Sequence, residues 1–310
     1  MKSRSAAAAI KAGFRLYAEK FKAVFNHTWV AALIYAIVAG VGNTFLVMEY
    51  PKMMVQLMLI QRNPAAGMPD GMLANLLGLL IVAVLTVVAT ILVSSLGFKL
   101  LREHLSTGTI TLPKIMNFQL DRHLFWRTFK AYLGLGVVVA LLTIVISAAS
   151  GAAVAWASTV GLGIAIIMAL LGILLSFPLY YVFMQYMLKD EKKFWSTLKQ
   201  SYSTGMRHYG YVFTIALTDI VISAAAYFVT ALPSFILMTA NMQAQMGALS
   251  GDKVAMPSFM TALTLVVFVI AQFLAAYILL SILFPLYYMW GSIETMEEDK
   301  KDALNKMLRS

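Results

Sequence analysis

The chain contains no cysteine, which excludes disulfides, thiolate metal centres and cysteine nucleophiles. Charge is scarce too. Only 12% of the residues are Asp, Glu, Lys or Arg, against 61% hydrophobic, whereas a water-soluble domain has about 25% charged residues. With a mean hydropathy of +0.80 over 310 residues, this composition points to an integral membrane protein. Catalytic patterns are also missing. No Ser/His/Asp arrangement, paired carboxylates or nucleotide motif occurs, and Gly161-Leu162-Gly163 lies inside an apolar run without a phosphate-loop context. The four histidines, His27, His104, His123 and His208, fall in no metal-binding spacing. The chain therefore reads as a non-enzyme with no cofactor and no bound metal.

What is abundant is long apolar sequence. Six runs reach bilayer length, about 20 residues at ~1.5 Å rise each: residues 29–48, 73–96, 133–156, 160–181, 211–232 and 259–283. The expected fold is an all-α integral membrane protein of six transmembrane helices. The first run is long enough to span the membrane and is preceded by dispersed basic residues, so the N-terminus is expected to stay attached. Between the runs lie stretches with helical spacing of apolar residues. Ile10, Phe14, Tyr17, Phe21 and Phe25 form one; Phe125, Phe129 and Tyr132 a second; Phe194, Leu198 and Tyr202 a third. Each alternates with Lys or Arg and predicts an amphipathic helix lying in the membrane interface. In the third, Lys192 and Lys199 are expected to turn to solvent. Residues 52–72 are expected to form a loop with a short helix before Arg62, and Pro69 to sit just before the second span.

Two short motifs recur. Phe-Pro-Leu-Tyr-Tyr stands at 177–181 and again at 284–288, closing the fourth and sixth runs, and Met-Pro-x-x-Met stands at 68–72 and 256–260, opening the second and sixth. The first motif predicts a helix leaving the bilayer. Pro178 and Pro285 would end or kink the helix, and Tyr180, Tyr181, Tyr287 and Tyr288 would settle at headgroup depth. The chain then divides into three like-oriented hairpins, approximately 6–105, 113–190 and 191–310, each led by an interfacial helix, within a single transmembrane domain. The first unit departs from this pattern, with Leu96-Gly97-Phe98 in place of Phe-Pro-Leu.

The net charge of +10 is distributed, not pooled, which argues against nucleic acid as a partner. Lys and Arg number six, six, five and four in the segments expected on one side, against two, none and one on the other. The positive-inside rule then places both termini and the interfacial helices in the cytoplasm. Basic groups beside the membrane attract anionic lipid by roughly 1 kcal/mol each, so the expected partners are membrane lipids, anionic ones included, and a protein partner on the cytoplasmic face.

Asp219 is the one charged residue well inside a run. A carboxylate there costs at least ~2.5 kcal/mol, so it should face protein or water or be protonated. Either it forms a proton or cation site with Thr218 or Thr214, or it bonds a neighbouring helix or snorkels. Methionines crowd both loops opposite the basic side: Met53, Met54, Met58, Met68 and Met72, then Met242, Met246, Met256 and Met260. Thioethers suit Cu(I), but with no Cys or His on that side they read as flexible apolar filler. Ala36, Gly40, Ser147 and Gly151 read as small residues that permit close helix packing. The C-terminal stretch after Ile293 reads as a solvated helix.

The basic entry segments and the exits Phe177-Pro178-Leu179-Tyr180-Tyr181 and Phe284-Pro285-Leu286-Tyr287-Tyr288 resemble a bacterial six-span family. That family includes the membrane domain attached to some glycerophosphodiester phosphodiesterases. The resemblance implies a bacterial inner-membrane protein; with no phosphodiesterase domain in the chain, that activity does not carry over. Mitochondrial carriers share the three-hairpin architecture, but their Pro-x-acid-x-x-base signature is missing. The leading expectation is a protein that organises lipids or membrane partners, the alternative a transporter or channel with a cavity near Asp219.

Overall fold

A computed structural model describes residues 2–62, 71–111, 120–156, 158–190, 193–249, 257 and 259–309. Among them every regular element is a helix: α1 (Ala6–Glu19), α2 (Phe21–Arg62), α3 (Met72–Thr107), α4 (Arg122–Trp156), α5 (Ser158–Ser176), α6 (Pro178–Leu188), α7 (Phe194–Arg207), α8 (Tyr209–Leu249) and α9 (Met260–Met307). Six segments are long and apolar enough to cross a membrane, α5 and α6 together making the fourth. The chain is thus an all-α, multi-pass membrane protein.

Several helices far outrun a bilayer. α2 has 42 residues and α9 has 48, or roughly 60 and 70 Å at the α-helical rise, against about 30 Å of hydrocarbon. These overruns correct three expectations. The loop expected at 52–72 is helical to Arg62, as part of α2. Among the described residues the interfacial helix expected ahead of the third span is not a separate element: Phe98–Thr107 prolongs α3, and Phe125, Phe129 and Tyr132 lie within α4. The first of the helices expected in the interface stops at Lys20, so Phe21 and Phe25 open α2. Helix α3 ends only where Gly108, at φ +77°, caps it by donating to the His104 carbonyl at 2.9 Å. The third segment expected to form such a helix, around Phe194, Leu198 and Tyr202, is a separate helix, α7. Pro69 and Lys192 lie outside the described residues, as do Met68 and Met256.

The packed core sits at one end of the bundle, the end that carries the cations. The largest fully buried side chains there include Phe98, Leu101, Leu124, Met184, Phe284 and Tyr287, supplied by helix portions that run past the apolar spans. α1 lays Ala9, Gly13 and Leu16 against this core, and α7 lays Phe194, Thr197, Ser201 and Gly205, in both cases residues three or four apart on one face. Away from that end the bundle loosens. From Leu135 to Leu171 the only buried described residue is Gly161, so the α4–α5 hairpin presents apolar side chains on nearly every side. Ile144, Val145, Ile166 and Ile167 are each more than half exposed. The close-packing expectation holds on α2, where Ala36 is buried and a Cβ on Gly40 would lie 2.9 Å from the Val269 Cα. It fails on α4, where Ser147 is exposed and nothing lies within 4 Å of a Cβ built on Gly151.

Candidate functional site

The two Phe-Pro-Leu-Tyr-Tyr motifs, expected where helices leave the bilayer, are packed into the protein core. Phe177, Pro178, Leu179 and Tyr181 are buried, as are Phe284, Pro285, Leu286 and Tyr287, while Tyr180 and Tyr288 are half-buried. Pro178 does break the helix, since α5 stops at Ser176 and α6 starts on the proline. Pro285 does not, because α9 continues through it to Met307. A proline lacks the N–H that would bond the carbonyl four residues back, which for Pro178 is Leu174. That carbonyl accepts instead from the Tyr209 hydroxyl at 3.1 Å and from the Phe177 amide at 3.3 Å, and the next, Leu175, accepts from Tyr202 at 3.0 Å. The tyrosine rings of the motifs tie the core together: Tyr181 donates to Glu294 Oε1 at 2.6 Å, and Tyr287 shares a 2.9 Å hydrogen bond with His104 Nδ1. Each proline also receives a glycine from a crossing helix. A Cβ on Gly13 of α1 would lie 2.5 Å from the Pro285 Cα, and one on Gly205 of α7 would lie 3.1 Å from the Pro178 Cβ.

The C-terminal carbonyls of α6 are closed by two arginines from neighbouring helices. Arg102 of α3 donates to the Met187 carbonyl at 2.8 Å and pairs with Asp190 at 2.8 Å. Arg127 of α4, only 7% exposed, donates to the carbonyls of Tyr186 at 3.0 Å, Lys189 at 2.5 Å and Asp190 at 3.1 Å, with its guanidinium 4.1 Å from the centre of the Tyr186 ring. Cations satisfy the orphan carbonyls at a helix C-terminus and oppose its negative dipole end. Neither arginine stands out in the sequence, where both belong to a basic segment. Their one legible signal is their place at the charged ends of the second and third spans. The C-terminal helix is likewise only partly solvated, for Glu294 pairs with Lys189, and Glu297 bonds His208 at 2.8 Å.

Asp219 lies inside the bundle on α8, 1% exposed, with neither carboxylate oxygen hydrogen-bonded. Ser223, one turn further on, is also buried with its hydroxyl unpartnered, and Tyr180 of α6 is within electrostatic reach. The threonines expected to assist do not reach it. Thr214 donates to the Gly210 carbonyl at 2.8 Å and Thr218 to the Thr214 carbonyl at 2.7 Å, each turned back on its own helix.

Two clefts open where α7 crosses the root of the α4–α5 hairpin. One, about 500 Å³, is almost wholly apolar, walled by Val138, Leu141, Val145, Leu175 and Leu198, with Lys199 and Tyr202 also in its wall. The other, about 530 Å³, combines Leu133 and Val137 of α4 with the cations Arg127, Lys130 and Lys193, the acid Asp190, and Trp195. Leu133 and Trp195 are more than half exposed, so this cleft faces outward. Among the described residues no cluster of His, Asp or Glu of the kind that holds a metal occurs. This arrangement can hold an amphiphile, with chains against the aliphatic wall and an anion beside the ammonium groups. Comparison of the chain with protein-family models, with curated proteins and with solved structures finds no match.

Proposed function

We infer that the chain is a non-enzymatic protein of the bacterial inner membrane that organises lipids, or proteins seated among them, at its basic face, with both termini cytoplasmic. The supporting observation is the α4–α5 hairpin, whose apolar side chains are exposed on nearly all sides and whose root meets α7 across an aliphatic cleft edged by Lys199. Apolar surface of this extent finds no protein partner among the described residues and is solvated by acyl chains, while a lysine at its edge stays at headgroup level. The asymmetry of Lys and Arg along the sequence supports the orientation. Gly13 on Pro285 and Gly205 on Pro178 set α1 and α7 in like positions on the two Phe-Pro-Leu-Tyr-Tyr segments, which supports a common repeat unit and with it the resemblance to the six-span family. A photoactivatable acyl chain in reconstituted membranes should crosslink to Val138–Val145 of α4 and to Leu198 of α7. Crosslinks confined to the outer faces of α3 and α8 would overturn this reading.

A second reading, a transporter, is favoured by one observation: the buried carboxyl of Asp219 has no hydrogen-bond partner, and a group so costly in hydrocarbon is retained for a reason. It predicts proton or cation flux in proteoliposomes that Asp219→Asn abolishes without lowering the melting temperature. Equal flux in both proteins would dismiss it.

A further inference from the structure

Charge in the cleft between α4 and the start of α7 is unbalanced in a specific way. Arg127 is spent on the α6 carbonyls, and Asp190, the one acid among the described residues of the wall, is paired with Arg102 at 2.8 Å and lies 3.6 Å from Arg127. Lys130 and Lys193 are exposed and form no ion pair among the described residues. Both line the same cavity as the outward-facing Leu133 and Val137. The cavity is also where α7 begins. Lys193 is the N-cap of that helix and makes no side-chain cap, and its first turn holds no acid, so the positive end of a 14-residue helix adds to the two ammonium groups. Phe194, packed on Gly134, fixes this end of α7 against α4, and Trp195 beside it is an indole of the kind that settles at headgroup depth.

Resting on the lipid-organising reading above, we propose that this cleft is a specific site for one anionic glycerophospholipid. Its phosphate lies between Lys130 and Lys193, Trp195 sits at the glycerol level, and an acyl chain runs along Leu133 and Val137. Two features select this occupant over others. A free anion has no use for the aliphatic wall, and a zwitterionic lipid brings a positive group to a cavity whose described residues already supply three cations and one acid. An acidic protein segment would leave Leu133 and Val137 facing lipid unfilled.

The test is native mass spectrometry of the full chain in nanodiscs of mixed phosphatidylglycerol and phosphatidylcholine, comparing wild type, Lys130→Gln/Lys193→Gln and a charge-matched control, Lys301→Gln/Lys306→Gln, on the exposed tail. Wild type should hold one phosphatidylglycerol through collisional stripping. The cleft variant should lose that preference about thirtyfold, the effect of two charges near a membrane surface, with unchanged melting. The control should match wild type, and Lys130→Arg/Lys193→Arg should restore the preference. Loss of equal size in the control would show diffuse surface charge and overturn the site. So would binding of soluble glycerol phosphate as tight as that of the lipid. Wild type that retains lipid without headgroup preference overturns the site and spares the broader reading; wild type stripped of all lipid overturns both.

Discussion

Arg127 and Lys130 are three residues apart on one helix, carry the same charge and have opposite fates. The guanidinium of Arg127 is buried and satisfies three carbonyls at the end of α6, while the Lys130 ammonium is exposed in the neighbouring cleft. Composition and spacing treat them alike, and only the arrival of α6 in space separates them. Replacing Arg127 by Gln strands buried acceptors worth 1–3 kcal/mol each, so it should cost roughly 3 kcal/mol in all. Lys130→Gln at an exposed position should stay within about 0.5 kcal/mol. Thermal melts of the detergent-solubilised proteins distinguish the two, and equal melting temperatures would contradict the assignment. Tyr17 shows the same logic in a phenol. It donates to the Tyr277 carbonyl at 2.9 Å, and burial raises its pKa well above the ordinary tyrosine value, which favours the neutral, donating phenol.

Among the elements, α1 and α7 depend on glycine at the point of crossing. A side chain at Gly13 would enter the backbone of Pro285. Gly13→Leu should therefore lift α1 from α9 at a cost of about 2 kcal/mol, the range found for overpacking, and expose α1 to hydrogen exchange. Gly136 of α4 is the control, since nothing lies within 4 Å of a Cβ placed there. Gly136→Ala should stabilise the protein by up to about 1 kcal/mol from helix propensity. Protection of α1 that is unchanged in Gly13→Leu would refute the crossing. The existence of the elements was largely legible in the sequence, because a bilayer imposes a length on apolar runs and all six were found near their places. Their ends were not. Hydropathy marks where a helix leaves hydrocarbon, and says nothing of whether it then continues as helix, as α3 does to Gly108 and α9 does through Pro285. The burial of the Phe-Pro-Leu-Tyr-Tyr segments was hidden for the same reason. Proline and tyrosine fit a membrane exit, and they fit equally a buried break between two helices, where the last carbonyls of α5 are met by Tyr202 and Tyr209.

At the scale of the whole molecule, stability and lipid contact are divided between two regions. A core of aromatic and aliphatic side chains from eight helices holds the basic end together, while the α4–α5 hairpin projects from it with almost no buried residue from Leu135 to Leu171. This division explains why the candidate site was only half visible beforehand. Asp219 announces itself as a lone charge in an apolar run, whereas Lys130, Lys193 and Trp195 come from separate segments and become one cleft only when α7 folds back on α4. The account requires every helix end in that core to lie on the same side of the membrane. The absence of cysteine makes a direct measurement simple, since any introduced thiol is the only one. Single cysteines at Ala66, Ser196, Ser250 and Ser310 should react with a membrane-impermeant maleimide on intact cells only at positions 66 and 250, and at 196 and 310 only after the membrane is opened. Labelling of 66 and 196 from the same side would contradict the account.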